Sequence, residues 1–160
     1  MLEVFGGIDA TQLSGITDYT WLQLYAELGN DLTKWSSEKR FTSWLGLAPG
    51  QNHSGKKKKN KRKKGHPKAG QIFRQIAQSL IESKKIALGA FGRRIKARRG
   101  PGIAVKAVAR KLAVLYWRMM VKGLDYVEKG IQAYEERMKL QTQRWLQKKA
   151  EEMGYQLTLS

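Results

Sequence analysis

The chain has 160 residues, 41% of them hydrophobic and five of them tryptophan, enough for one domain with a packed core and an appended helix. Its formal net charge is +18 and it has no cysteine, which excludes disulfides and cysteine-ligated metals and is compatible with a reducing cytoplasm. No apolar run approaches bilayer length, and MLEVFGGIDA lacks the basic and apolar regions of a secretory signal.

Residues 9–29 predict a short helix ending near Leu13, a tight turn at Ser14-Gly15-Ile16-Thr17, and a helix from about Asp18 stopped by Gly29. In that helix Tyr19, Leu22, Tyr25 and Ala26 share a face at helical spacing and are expected inside. Helix, glycine-containing turn and helix together have the form of a helix-hairpin-helix, whose turn N–H groups receive a phosphate. Gly15 and Thr17 would be the contacts, although such turns usually carry two glycines. An ordinary helical corner reads equally well.

Ser36-Ser37-Glu38 opens a helix through Leu45, with Phe41, Trp44 and Leu45 as its stripe. A core stripe is the expected role, and a base-stacking platform is the alternative. Gly46-Leu47-Ala48-Pro49-Gly50 ends that helix and leads into QNHSGKKKKNKRKKGHPK, the basic loop 51–68.

That loop repels itself and has no apolar face, so a polyanion is its natural partner. Lys56, Lys57, Lys58, Lys59, Lys61, Arg62, Lys63, Lys64 and Lys68 are expected on nucleic-acid phosphates, with Gly55 allowing close approach. A solvated loop or a localisation signal is the plain alternative. Ser54 stands just ahead of the lysines. A serine hydroxyl needs activation; Lys56 and Lys57 would favour the alkoxide and the charge on a pentavalent phosphorus. A Ser-Gly in a polar loop is just as readily only a loop.

The charge is segregated. Residues 1–50 carry three bases and six acids, whereas residues 51–127 carry 22 bases against Glu82 and Asp125. Such a footprint points to nucleic acid, not to an interfacial membrane helix, which would need aromatic and leucine anchors within the basic run.

Beyond the loop, 69–85 predicts a helix that buries Phe73, Ile76, Ala77, Leu80 and Ile81 with Arg74 on its flank. A helix over 87–99 ends in a cluster that includes Arg93, Arg94 and Arg98, and Gly100-Pro101-Gly102 breaks the chain. In helix 103–122, Val105, Val108, Leu112, Leu115 and Met119 form a seam at alternating spacings of three and four. Arg110 and Lys111 lie on its other face, facing phosphates or solvent. Residues 130–153 predict a long helix of mixed charge, with Ile131, Tyr134, Met138, Trp145 and Met153 on one side for another chain or for its own core. The tail 154–159 reads as a short strand or a frayed end.

The expected class is all-α: a helix-hairpin-helix-containing domain over 1–127, then a long C-terminal helix and tail over 128–160 as an assembly element. No metal constellation is visible. The histidines, His53 and His66, lie in the loop, and Asp9, Asp18, Glu27 and Asp31 do not converge.

The segment GITDYTWLQLYAELGNDLTKWSSEKRFTSWLGLAPGQNHSGKK resembles the start of the C-terminal domain of insertion-sequence-110 family transposases. The family's pattern is a G-[IV]-G turn, an "aEiG" helix end, an "aswLGL-P" helix and then "SGGK". GAFGRRIKARRG, AVARKLAVLYWRMM and AYEERMKLQ…KKAEEMGYQL continue the similarity over nearly the whole chain. The resemblance implies a bridge-RNA-guided DNA recombinase in which Ser54 is the nucleophile. It also implies that Mg²⁺ is held by an acidic, resolvase-like N-terminal domain, which this chain is expected to lack. DNA, a structured guide RNA and further copies of the full-length enzyme are the implied partners, in the cytoplasm at the bacterial nucleoid. Lys56 stands where the motif has its second glycine, and Thr17 where the turn has one. A non-catalytic DNA- or RNA-binding remnant of a mobile element is the alternative.

Overall fold

A computed structural model describes residues 7–49, 67–84 and 86–158, with the backbone alone at 128–132, 134 and 135. Among the described residues every regular element is helical. A 3-10 turn (Ala10–Gln12) precedes α1 (Asp18–Leu28), α2 (Glu38–Trp44), α3 (Lys68–Glu82), α4 (Ala87–Arg99), α5 (Pro101–Lys122) and α6 (Leu124–Glu152). The protein is all-α. It divides into two compact units, Met1–Leu124 and Asp125–Ser160.

Side-chain caps set the first helix starts. Asp9 accepts from Thr11 N–H at 3.0 Å to open the 3-10 turn, which among the described residues stands in the place of the first arm of the expected hairpin. Thr17 and Thr20 cap α1 reciprocally: the Thr17 hydroxyl accepts from Thr20 N–H, and Thr17 N–H donates to the Thr20 hydroxyl at 2.8 Å. Ser37 caps α2.

In the first unit α5 packs against α2, α3 and α4, and α1 lies on α3. Val108, Leu112, Tyr116 and Met119 of α5 are fully buried, as are Phe41 of α2 and Phe73 and Ala77 of α3. Each large side chain removed from water in this way contributes about 1.5–3 kcal/mol before entropy is counted. The helices approach closely where side chains are small. A Cβ built at Gly92 of α4 would stand 2.5 Å from Ile81 Cγ1 and 2.8 Å from Val108 Cγ2. Aromatic rings continue the core outward: Phe73 meets Tyr116 at 5.7 Å between centroids, and Phe41 meets Trp35 at 5.0 Å.

Several expectations are corrected. On α1 the buried face is Trp21, Leu24 and Leu28, whereas Tyr19, Leu22 and Ala26 are exposed and Tyr25 is half-buried. Both faces carry apolar residues at helical spacing, and packing on α3 selects the one without tyrosine hydroxyls. On α2 Phe41 and Leu45 are buried but Trp44 is 45% exposed. On α5 the inner face keeps Val108, Leu112 and Met119 from the seam but adds Ala104, Ala109, Ala113 and Tyr116, leaving Val105 and Leu115 half-buried. Three neighbouring helices require a wider apolar face than a two-stranded seam supplies.

α3 stops at Glu82 instead of Lys85, because Ser83 turns extended. The five buried residues expected on it are all buried.

The last helix starts at Leu124, directly after Gly123 and at the end of the first unit, and not at Gly130. Its C-terminus closes with Tyr155 N–H on Ala150 O (2.8 Å) and Gly154 N–H on Glu151 O (3.1 Å), the paired bonds of a Schellman end. The described part of the tail beyond it is not a strand. Leu140, Trp145, Leu146 and Met153 are exposed; the expected side chains Ile131 and Tyr134 lie outside the described ones.

Candidate nucleic-acid interface

Ser54, Gly55, Lys56, Lys57, Lys58, Lys59, Lys61, Arg62, Lys63 and Lys64 lie outside the described residues. The two stems that lead to and from them are described, and they are side by side. α2 ends in a Schellman motif: Gly46 N–H bonds Ser43 O at 3.1 Å and Leu47 N–H bonds Thr42 O at 2.9 Å. Gly46 takes φ +70°, which favours glycine, and Leu47 is buried as the anchor behind it. α3 begins at Lys68 against this end. Gly70 packs so tightly on the Leu45 carbonyl that a Cβ there would collide with it. Arg74, one turn further along α3, donates to Gly46 O at 3.2 Å. The stems are thus tied by a backbone contact and a guanidinium–carbonyl bond.

This arrangement gives Arg74 a structural task that its sequence position on the helix flank did not disclose. Arg93 has another. Its Nη1 donates to Ile81 O at 3.0 Å and to Ser83 O, closing the C-terminal end of α3. Gly89 makes the neighbouring close approach, its Cα facing the Leu80 carbonyl.

The remaining candidates are placed as follows. Gly15 is in the turn at φ +91°, and a Cβ on it would meet Ile76 Cγ2 and Leu80 Cδ2 at 2.9 Å, so the turn packs on α3. Thr17 N–H, which a hairpin would offer to a phosphate, is taken by the Thr20 hydroxyl. Lys68 is well exposed, 4.0 Å from Glu27. Arg94 and Arg98 are exposed on α4, and Arg110 is half-buried on the adjoining α5. The Lys111 ammonium lies 4.0 Å above the Phe91 ring, a cation–π contact that joins the two helices.

Two of the acids are engaged by near neighbours. Glu38 accepts from Arg118 at 2.7 Å across α2 and α5. That bond, aided by Lys122, holds the Glu38 carboxyl below its usual range. Asp31 is lowered by its bonds from the Thr33 hydroxyl and N–H. Burial raises the Tyr116 phenol. Among the described residues no three or more histidine or acidic side chains gather as a metal site.

A feature that periodicity misassigned is the face of α2 toward solvent. Trp44 stands on the half-buried Trp35 ring at 5.0 Å, and the Lys34 ammonium lies 4.5 Å from the Trp35 centroid. Arg40, one turn before Trp44, is also exposed. The signal was the i, i+4 pairing of Arg40 with Trp44, which is uncommon on a face meant for the core.

The model of the Transposase IS116/IS110/IS902 family matches residues 10–91. The chain belongs to this family. No curated protein and no solved structure matches it. The family match begins at the 3-10 turn and ends on α4, so it takes in both stems and the basic stretch between them. The similarity expected further along, in α5 and α6, lies outside the matched residues. No described helix is long and apolar enough to cross a membrane.

Proposed function

We propose that the chain is the C-terminal domain of a DNA transposase in which Ser54 cleaves and exchanges strands. The family match across 10–91, which includes Ser54 and the stems that fix where its segment leaves and rejoins the fold, carries this reading. The Ser54 Oγ loses its proton and attacks a backbone phosphorus. A phosphoserine ester forms as the bond to one bridging oxygen breaks, and the released strand end takes up a proton as a hydroxyl. The ester conserves the energy of the broken bond, so a second strand's hydroxyl reverses the step without ATP.

Lys56, Lys57 and Lys68 hold the phosphate and the charge that builds on it. Arg94, Arg98, Arg110 and Lys111 extend the contact along α4 and α5, whereas Arg74 and Arg93 act on the fold. The turn at Gly15 and Thr17 contributes shape more than a phosphate nest. On this reading Mg²⁺ is held by the acidic, resolvase-like domain that the family resemblance implies, and among the described residues no three or more histidine or acidic side chains gather to hold it. DNA is the substrate, a structured RNA guides it, and the working enzyme is a homo-oligomer.

The test supplies the full-length enzyme, Mg²⁺, guide RNA and DNA and looks for a covalent protein–DNA adduct. Wild type is expected to form it and Ser54→Ala to abolish it; an adduct that survives the substitution removes Ser54 from the mechanism. One observation favours a second reading. Lys56 replaces the second glycine of the family's SGGK, which restricts the backbone beside the nucleophile. On that reading the protein binds DNA or RNA with the same salt dependence, and Ser54→Ala changes nothing.

A further inference from the structure

We propose that Trp44 is a stacking platform for an unpaired base of single-stranded DNA, located where α2 hands over to the basic segment. The proposal rests on the reading that the chain binds DNA, and not on Ser54. Trp44 is 45% exposed although it belongs to a helix whose neighbours Phe41 and Leu45 are wholly buried. Its ring is fixed from behind by Trp35, at 5.0 Å and 49° between planes, and Trp35 is itself held edge-on by Phe41 at 62°. A large aromatic surface is therefore presented to solvent on a backing that belongs to the core. An indole left in water only to fill space would need no such support.

The surroundings are suited to a polyanion. Lys34 lies over Trp35 with its ammonium also donating to Leu28 O at 2.7 Å, so its charge stays beside the aromatic pair. Arg40 is exposed one turn away on the same side of α2, and the nearest acid on that helix, Glu38, is engaged by Arg118. Two residues after Trp44, Gly46 begins the stem that leads to the lysine run. An exposed ring with flanking cations is the combination by which single strands are bound without reading their sequence. Double-stranded DNA keeps its bases stacked on each other and has no free face for the indole. Strand exchange passes through unpaired bases, which are the kind of base such a platform holds.

Fluorescence anisotropy with a labelled twelve-nucleotide oligo-dT, titrated at several salt concentrations, tests this on the whole chain. Trp44→Ala is expected to weaken binding about 5- to 100-fold, with the slope of log K against log salt unchanged, since no phosphate contact is lost. Trp44→Phe should recover most of the affinity, and binding to a hairpin duplex should change less than two-fold. Trp145→Ala, on α6, serves as the exposed-tryptophan control and should bind like wild type. Unchanged oligo-dT affinity in Trp44→Ala, or a loss that Phe does not restore, overturns the platform. A dependence on Trp44 seen with oligo-rU and not with oligo-dT overturns its assignment to DNA. A wild-type chain that binds the hairpin duplex but not oligo-dT overturns this inference alone; one that binds neither overturns the DNA-binding reading beneath it as well.

Discussion

At the scale of single residues, the side chains that carry most information are those with one partner and no substitute. Glu38 and Arg118 join α2 to α5 through one charge-assisted bond. Because the folded carboxyl titrates below its ordinary value of 4.5, the pair stabilises the fold above that pH. The contribution is lost as pH falls through the lowered value. Glu38→Gln should therefore cost about 0.5–1 kcal/mol at pH 7 and progressively less as the pH falls below 4.5. Urea unfolding of both proteins across this range checks it. Gly70→Ala is a second case. In an open helix this change usually gains about 0.5–1 kcal/mol, but here the new methyl collides with the Leu45 carbonyl. Loss of about 1–3 kcal/mol is expected instead, read from the shift in denaturation midpoint.

Elements show what two arginines expected on phosphates do within the fold: each ties one helix end to a neighbouring helix. Arg93 reaches from α4 to the end of α3, where it donates to the Ile81 and Ser83 carbonyls. Replacing it with methionine should cost about 1–3 kcal/mol in urea unfolding. The salt slope of DNA binding should stay as it was. Arg98→Gln, by contrast, should leave stability within about 0.5 kcal/mol and lower the salt slope by about one. Periodicity cannot separate these two arginines: both sit on one amphipathic helix, five residues apart. What distinguishes them is whether a foreign carbonyl lies within reach, and that is a property of how α3 ends. The same limit misplaced Trp44. Its spacing from Phe41 fits a buried stripe, but α2 is only seven residues long and touches the core along a narrower face. The α3 pattern was legible throughout, because its apolar and polar residues separate cleanly by side.

Over the whole molecule the decisive quantity is where the charge lies. The second unit holds six acids, Asp125, Glu128, Glu135, Glu136, Glu151 and Glu152. Lys129, Arg137, Lys139, Arg144, Lys148 and Lys149 balance them. Removing residues 125–160 should therefore leave the salt slope of nucleic-acid binding unchanged, whereas replacing Lys56–Lys59 with glutamine should flatten it by about four. Electrophoretic mobility shifts at graded salt distinguish these outcomes.

From the sequence alone came the helical class, the excess of charge in the middle of the chain, the family resemblance and most of the buried positions on α3. The class, the charge and the buried positions follow from composition and local periodicity, and the resemblance from the order of its motifs, all of which a linear string carries in full. Tertiary structure alone decided which face of α1 turns inward, that Trp44 faces water, that Arg74 and Arg93 serve backbone carbonyls, and that the two stems of the basic segment meet at Gly70 and Leu45. Each of those depends on a partner distant in sequence, and no spacing rule within one helix encodes what the neighbouring helix will present to it.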